Sequence, residues 1–274
     1  MKYLSVSVKE CDDRLIFAPT GTITKYEAIT SFDVEGGEIT ELLHETALSL
    51  SAALIVPKSD TVTLRYKICD DAKGLTYPLS AFVPRITRYT LPADELTATS
   101  KEIARTAGGG SAGIAAIVEA TEALFTYDHP KTRFNDGMDS VPLLSCGRTA
   151  GSCVDINTYL VASLRAAGYQ AAYFYGYFFP EERGGFTDDG HCWVVTYHDG
   201  EYLEWDIAHH MKARLGPTQP GLNPRPGKRV AVTHSMGQRY RGMGLDCEVK
   251  VLGEPMRLQT PNQLAFVTLG AHLI

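Results

Sequence analysis

The sequence contains no charge-free run of about eighteen apolar residues, so no segment reads as a membrane-spanning helix. Its opening stretch, MKYLSVSVKECDDRLIF, is broken by Lys9, Glu10, Asp12 and Asp13 and lacks the continuous apolar core of a secretory signal. A cytoplasmic location is therefore expected. Basic residues are in the minority: 26 Lys and Arg against 32 Asp and Glu leave a formal charge of −6. Such a chain has no electrostatic attraction for phosphate backbones, which argues against nucleic acid as a partner. Cysteines are few and scattered, at 11, 69, 146, 153, 192 and 247, with no CxxC pair. That pattern fits neither a zinc cluster nor a disulfide scaffold, and no metal is expected. The run Gly108-Gly109-Gly110 lacks the Lys-Ser/Thr that follows a phosphate-binding loop, so it reads as an interhelical linker. No cofactor motif and no internal repeat is apparent.

What is present is an ordinary globular composition, 44% hydrophobic and 21% charged over 274 residues. That length buries a core and allows one or two domains. Residues 1–90 read as β. Thr61–Ile68 alternates strictly, with Val62, Leu64, Tyr66 and Ile68 on one side and Thr61, Thr63, Arg65 and Lys67 on the other. LSVSV (4–8) alternates as well, and AALIV (52–56) ends at Pro57 as a buried strand would.

Beyond Pro92 the period changes. PADELTATSKEIARTA opens with proline and acids and stops at the glycine run, as a helix does. SAGIAAIVEATEALF places Ile114, Ile117, Val118, Thr121 and Phe125 on one helical stripe. Residues 126–152 show little periodicity. YQAAYFYGYFF (169–179) is aromatic-rich, as strands are. HCWVVTY and EYLEWDIA flank Asp199-Gly200, a strong hairpin signal. The tail holds short strand candidates near 229–234, 246–252 and 264–269.

The stretch GSCVDINTYLVASLRAAGY (151–169) raises the chemical question. Ser152 followed by Asp155 is a capping-box variant that starts a helix at Cys153. Ile156, Leu160 and Leu164 recur at helical spacing, and Gly168 falls at the left-handed position past the helix end. Cys153 then sits in the first turn, where the dipole and unpaired N–H groups favour a thiolate and could hold an oxyanion. Inert filling remains an alternative for a single buried cysteine.

A thiolate nucleophile needs an imidazole, and the imidazole needs an orienting acceptor. A two-residue turn at Asp199-Gly200 pairs 198 with 201, placing 193 opposite 206 and 191 opposite 208. His191 and Asp206 then share a face, one diagonal step or roughly 7 Å apart. A turn one residue longer would put them on opposite faces. Each of the two also has a plain structural reading, as a loop-end or core histidine and a strand-end or capping carboxylate. Cys192, next to His191, is expected on the opposite face as a buried structural thiol. Cys146 lacks a helix start. Trp193 and Trp205 are expected in the core, Asp155 as a cap, and His209, His210 and His234 at the surface or in loops.

The segments GSCVD, SLRAAGYQAAYFYGY, GHCWV and YLEWDIA together resemble the transglutaminase-like core of microbial cysteine proteases. The resemblance covers about residues 120–210 and is weaker over the first ninety. It implies an α+β fold: an N-terminal antiparallel β-domain, then a papain-like core in which the helix carrying the cysteine packs on an antiparallel sheet. The implied division is 1–90 for the β-domain and 91–274 for the core and its extension. Residue by residue it implies Cys153 as nucleophile, His191 as base and Asp206, on the strand that follows, as orienting acid. A second oxyanion donor comes from an upstream side chain in this family, with Tyr127 and Asn135 as candidates here. The implied chemistry is acyl transfer through a thioester, with a peptide, protein or small amide as substrate. Hydrolysis is expected, with transamidation and a non-catalytic binding role as alternatives.

Overall fold

Strict alternation turns the first seventy residues into sheet. The computed structural model describes residues 2–71, 73–242, 245–260 and 263–274. Six strands come first: β1 (Lys2–Lys9), β2 (Ile16–Pro19), β3 (Ala28–Glu35), β4 (Gly37–Glu45), β5 (Leu50–Pro57) and β6 (Thr61–Cys69). Helices α1 (Asp94–Thr106) and α2 (Gly110–Leu124) follow, then β7 (Phe125–Tyr127), β8 (Thr149–Gly151) and α3 (Cys153–Ala166). Next are β9 (Gln170–Pro180), β10 (Phe186–Thr187), β11 (Gly190–His198), β12 (Glu201–Trp205) and α4 (Ile207–Ala213). The chain closes with β13 (Gly227–His234), β14 (Gln238–Gly242), β15 (Leu245–Val249), β16 (Met256–Thr260), β17 (Gln263–Phe266) and β18 (Leu269–Leu273). The class is α+β, with antiparallel sheets at the N-terminal end and a later core of helices and strands. No helix among the described residues is long and apolar enough to cross a membrane.

The chain folds as two units that are not linear in sequence. One comprises 1–80, 175–191 and 226–274; the other comprises 81–174 and 192–225. A single division after residue 90 would separate β1 from β18, yet the two pair antiparallel with Leu4 opposite Leu273. Residues far apart in the chain thus complete the N-terminal sheets, because a sheet edge needs a hydrogen-bonding partner from somewhere.

In the first unit one sheet runs β10-β18-β1-β6-β3 and another β17-β16-β2-β5-β4. Val6 faces Leu64 and Val8 faces Val62 across the β1–β6 ladder. The alternating face of β6 is buried with Val6, Val8, Ile16, Ile55 and Val232 in one apolar cluster. Each fully buried aliphatic side chain there contributes about 1.5–3 kcal/mol. Gly176 marks the tightest approach: a Cβ on it would stand 1.9 Å from the Val230 carbonyl oxygen. Gly176→Ala is expected to destabilise the protein by about 1–3 kcal/mol through overpacking, read as a lowered urea midpoint.

In the second unit α1 opens on Asp94 and Glu95, and α2 buries Ile114, Ile117, Val118 and Thr121 as its stripe requires. The Thr121 hydroxyl donates to the Ile117 carbonyl at 2.8 Å, which satisfies the one polar member of that stripe. Gly108, Gly109 and Gly110 all have positive φ (89°, 73° and 55°), a linker conformation that glycine tolerates. Helix α3 is buried along most of its length. It ends before Gly168, whose φ of 91° is the left-handed exit expected there. The β11–β12 hairpin turns at Asp199 (φ 51°) and Gly200 (φ 84°), and its ladder runs from His198 opposite Glu201 to Val194 opposite Trp205. This is the register read from the sequence.

Candidate active site

Cys153 is the first residue of α3 and is 7% exposed. Ser152 before it is extended, with φ −81° and ψ 178°, which sets the helix start. The Asp155 carboxylate reaches back to accept from the Ser152 N–H at 2.9 Å and the Ser152 hydroxyl at 2.8 Å. Asp155 is therefore the cap expected of it. A third donor was not legible: Arg133 Nη1 gives hydrogen bonds to Asp155 Oδ2 at 2.9 Å and to Ser152 Oγ at 3.0 Å. Partial burial works against the Arg133 charge. The Asp155 carboxylate, then Tyr173 and Cys153, outweigh it and hold the guanidinium above its ordinary pKa. Arg133 lies in the aperiodic segment 126–152, where nothing in the local pattern marks a partner for α3.

Cys192 is buried, as expected, but it is not remote from Cys153. Asn157, one turn along α3 from Cys153, donates its Nδ2 to the Cys192 carbonyl at 2.9 Å and to Cys192 Sγ at 3.3 Å. Burial, then a hydrogen bond to the Cys153 sulfur, push the Cys192 thiol well above its ordinary pKa, against opposing hydrogen bonds from Tyr173 and Asn157. Burial thus favours the neutral thiol at Cys192. Strand alternation suggested distance from the site, but α3 packs onto β11 at this residue.

Asp206 is fully buried. It is not on a strand: β12 ends at Trp205, and Asp206 is the N-cap of α4. Its Oδ1 accepts from the His209 backbone N–H at 3.0 Å, and its Oδ2 lies 3.0 Å from His209 Nδ1. The ladder pairing stops at Val194–Trp205, so Asp206 stands one residue past the strand rather than on it. Aspartate is a strong N-cap residue, and that preference turns the chain out of the sheet. His209, expected at the surface, is buried against Asp206; His210 and His234 are buried as well. The Asp-x-x-His spacing was the available sign of His209, since an N-cap and the third helical residue face each other.

His191 is the second residue of β11 and is buried. It closes the 175–191 segment of the first unit, one peptide bond before Cys192. Its ring stands edge-on to Phe178 with centroids 6.5 Å apart. A Cβ on the preceding Gly190 would lie 2.3 Å from the Tyr175 hydroxyl and 2.4 Å from Glu254 Oε1, so a side chain there would have to displace those two side-chain tips. Asn135 is buried, while the Tyr127 hydroxyl is 3.1 Å from His129 Nε2. Cys146 is exposed, and Trp193 and Trp205 are in the core.

The stretch from α1 to the first residue of α4, residues 97–207, matches the family described as Transglutaminase-like superfamily. Residues 97–207 are the transglutaminase-like region of this chain. It contains Cys153 and His191 and ends one residue past Asp206. No curated protein matches the sequence. Among solved structures, the chain is similar to a "putative cysteine protease" from Cytophaga hutchinsonii at 12% identity and a TM-score of 0.49, covering 100% of this chain and 97% of that one. It is also similar to the periplasmic domain of TgpA from Pseudomonas aeruginosa at 16% identity and a TM-score of 0.41, covering 77% of this chain and 88% of that one.

Proposed function

We propose that the protein is a thiol-dependent acyl-transfer enzyme that hydrolyses peptide or carboxamide bonds. The observation that carries this reading is Cys153 at the first position of α3, where the Ser152–Asp155 cap fixes the helix start. A helix N-terminus favours the sulfur anion over the neutral thiol. In this reading the Cys153 thiolate attacks the carbonyl carbon, and backbone N–H groups of the first turn of α3 take the developing oxyanion. His191 holds the thiol proton and delivers it to the leaving amine as the C–N bond breaks, leaving a thioester on Cys153. Water, deprotonated by His191, then attacks the thioester; the acid departs and the thiol is restored. Asp206 orients the imidazole and stabilises its cationic form.

The test combines labelling with digestion. Limiting iodoacetamide near neutral pH is expected to alkylate Cys153 before the other five cysteines, with loss of peptide cleavage in proportion. Mapping of the first label to Cys146 or Cys192, with cleavage intact, overturns the assignment. A peptide-library digest with and without added primary amine separates the acceptors: shortened peptides mean hydrolysis, and amine-bearing products mean transamidation. Absence of both, with Cys153 alkylated normally, identifies a binding protein built on the same domain.

A further inference from the structure

The nucleophile's helix start is held by more than a cap requires. Ser152 and Asp155 alone would close the first turn, yet Arg133 is brought from another segment to donate to both. Ser152 immediately precedes Cys153, and Asp155 follows it by two residues. The Ser152–Asp155 hydrogen bonds that Arg133 reinforces therefore span residue 153. Asp155 is fully buried, the Arg133 side chain is one-third exposed, and every hydrogen bond to the carboxylate falls on Oδ2 while Oδ1 has none. The accepting load thus lies on the oxygen turned toward Arg133.

We infer that Arg133 is a positioning residue that fixes the start of α3 and, through its charge, sets the thiolate population of Cys153. This rests on the reading of Cys153 as nucleophile. The groups around the thiol are Asp155 from α3, Arg133 from the segment before β8, Tyr173 from β9 and Cys192 from β11. On the triad reading, His191 of β11 joins them. Of these, Arg133 is cationic at every working pH. Arg133 and Asp155 act on Cys153 with opposite sign, so the two members of the pair can be tested against each other.

The experiment is the pH dependence of Cys153 alkylation by iodoacetamide, followed by peptide mapping, in the full-length protein. R133M removes the cation and leaves the Asp155 charge uncompensated; both changes disfavour the thiolate. Its alkylation midpoint is expected to rise by about one pH unit, since a nearby opposite charge commonly shifts an ionisable group by 1–3 units. R133K restores a charge without the planar fork and is expected to recover most of that shift. D155N keeps an acceptor oxygen for Ser152 but leaves the Arg133 cation unopposed, so its midpoint is expected to fall.

A purely structural cap predicts the reverse relation: both variants lose helix order and slow in the same direction. Equal or same-sign shifts in R133M and D155N therefore overturn the inference. If R133M fails to fold by circular dichroism, D155N decides, because only an electrostatic role lowers its midpoint. The outcome is separable from the function proposed above. Turnover surviving in a Cys153→Ala variant would remove the nucleophile assignment, whereas opposed alkylation midpoints would still show that Arg133 and Asp155 tune this thiol.

Discussion

The Cys153→Ala protein is expected to fold and to lose peptide or amide turnover by about four orders of magnitude or more. Deleting the nucleophile of a triad removes nearly everything except binding and oxyanion stabilisation. The fold should tolerate the change, because alanine is a favourable helix residue and the Ser152–Asp155–Arg133 cap does not involve the thiol. Cys153→Ser sharpens the test. It preserves shape, but an alcohol ionises far less readily than a thiol, so the helix dipole has no accessible anion to stabilise. A loss nearly as large as that of alanine is expected. The measurement is kcat/KM on a substrate taken from the library digest, with circular dichroism as the folding control. Turnover within tenfold of wild type in the alanine variant would remove Cys153 from the chemistry.

The second large effect concerns Asp206. Asn is as good an N-cap as Asp, so Asp206→Asn should keep α4 and its backbone hydrogen bond to His209. What it loses is the negative charge and the fixed acceptor for an imidazole. In serine triads the corresponding change costs about four orders of magnitude in turnover. A thiolate–imidazolium pair begins already ionised, so a loss of about two orders is expected here. Insertion of one glycine after Gly200 should cost more. It breaks the turn in which Asp199 and Gly200 both have positive φ, and it can turn the whole of β12 over. Trp205, which donates to the Thr196 hydroxyl at 2.9 Å across that hairpin, reports on the register by its fluorescence. Kinetics of wild type, Asp206→Asn and the insertion, each shown to be folded, decide the matter. A folded Asp206→Asn enzyme as active as wild type would reduce the triad to a Cys153–His191 dyad, with Glu204, buried two residues earlier, as the first alternative acceptor.

Much of the local structure was legible because it depends on neighbours in sequence. The two-residue alternation of β6, the helical stripe of α2, the start of α3 at Ser152–Cys153 and the left-handed exit at Gly168 each follow from side-chain period, capping or φ freedom. The Asp199-Gly200 turn likewise determined the β11–β12 register without reference to anything distant. At the end of that hairpin two local preferences compete at Asp206. Strand continuation and N-capping both suit the sequence, and the cap prevails once His209 closes the first turn of α4.

What only the tertiary structure decided are the meetings of segments far apart in the chain. Arg133 binds Asp155 from 22 residues away, Asn157 reaches Cys192 across 35, and β18 completes the sheet that β1 begins. His209 is buried rather than solvated for the same reason. Periodicity and turn chemistry specify which face of an element is apolar. Which other element covers that face, and which buried polar group then needs a partner, is settled by the packing of the whole unit.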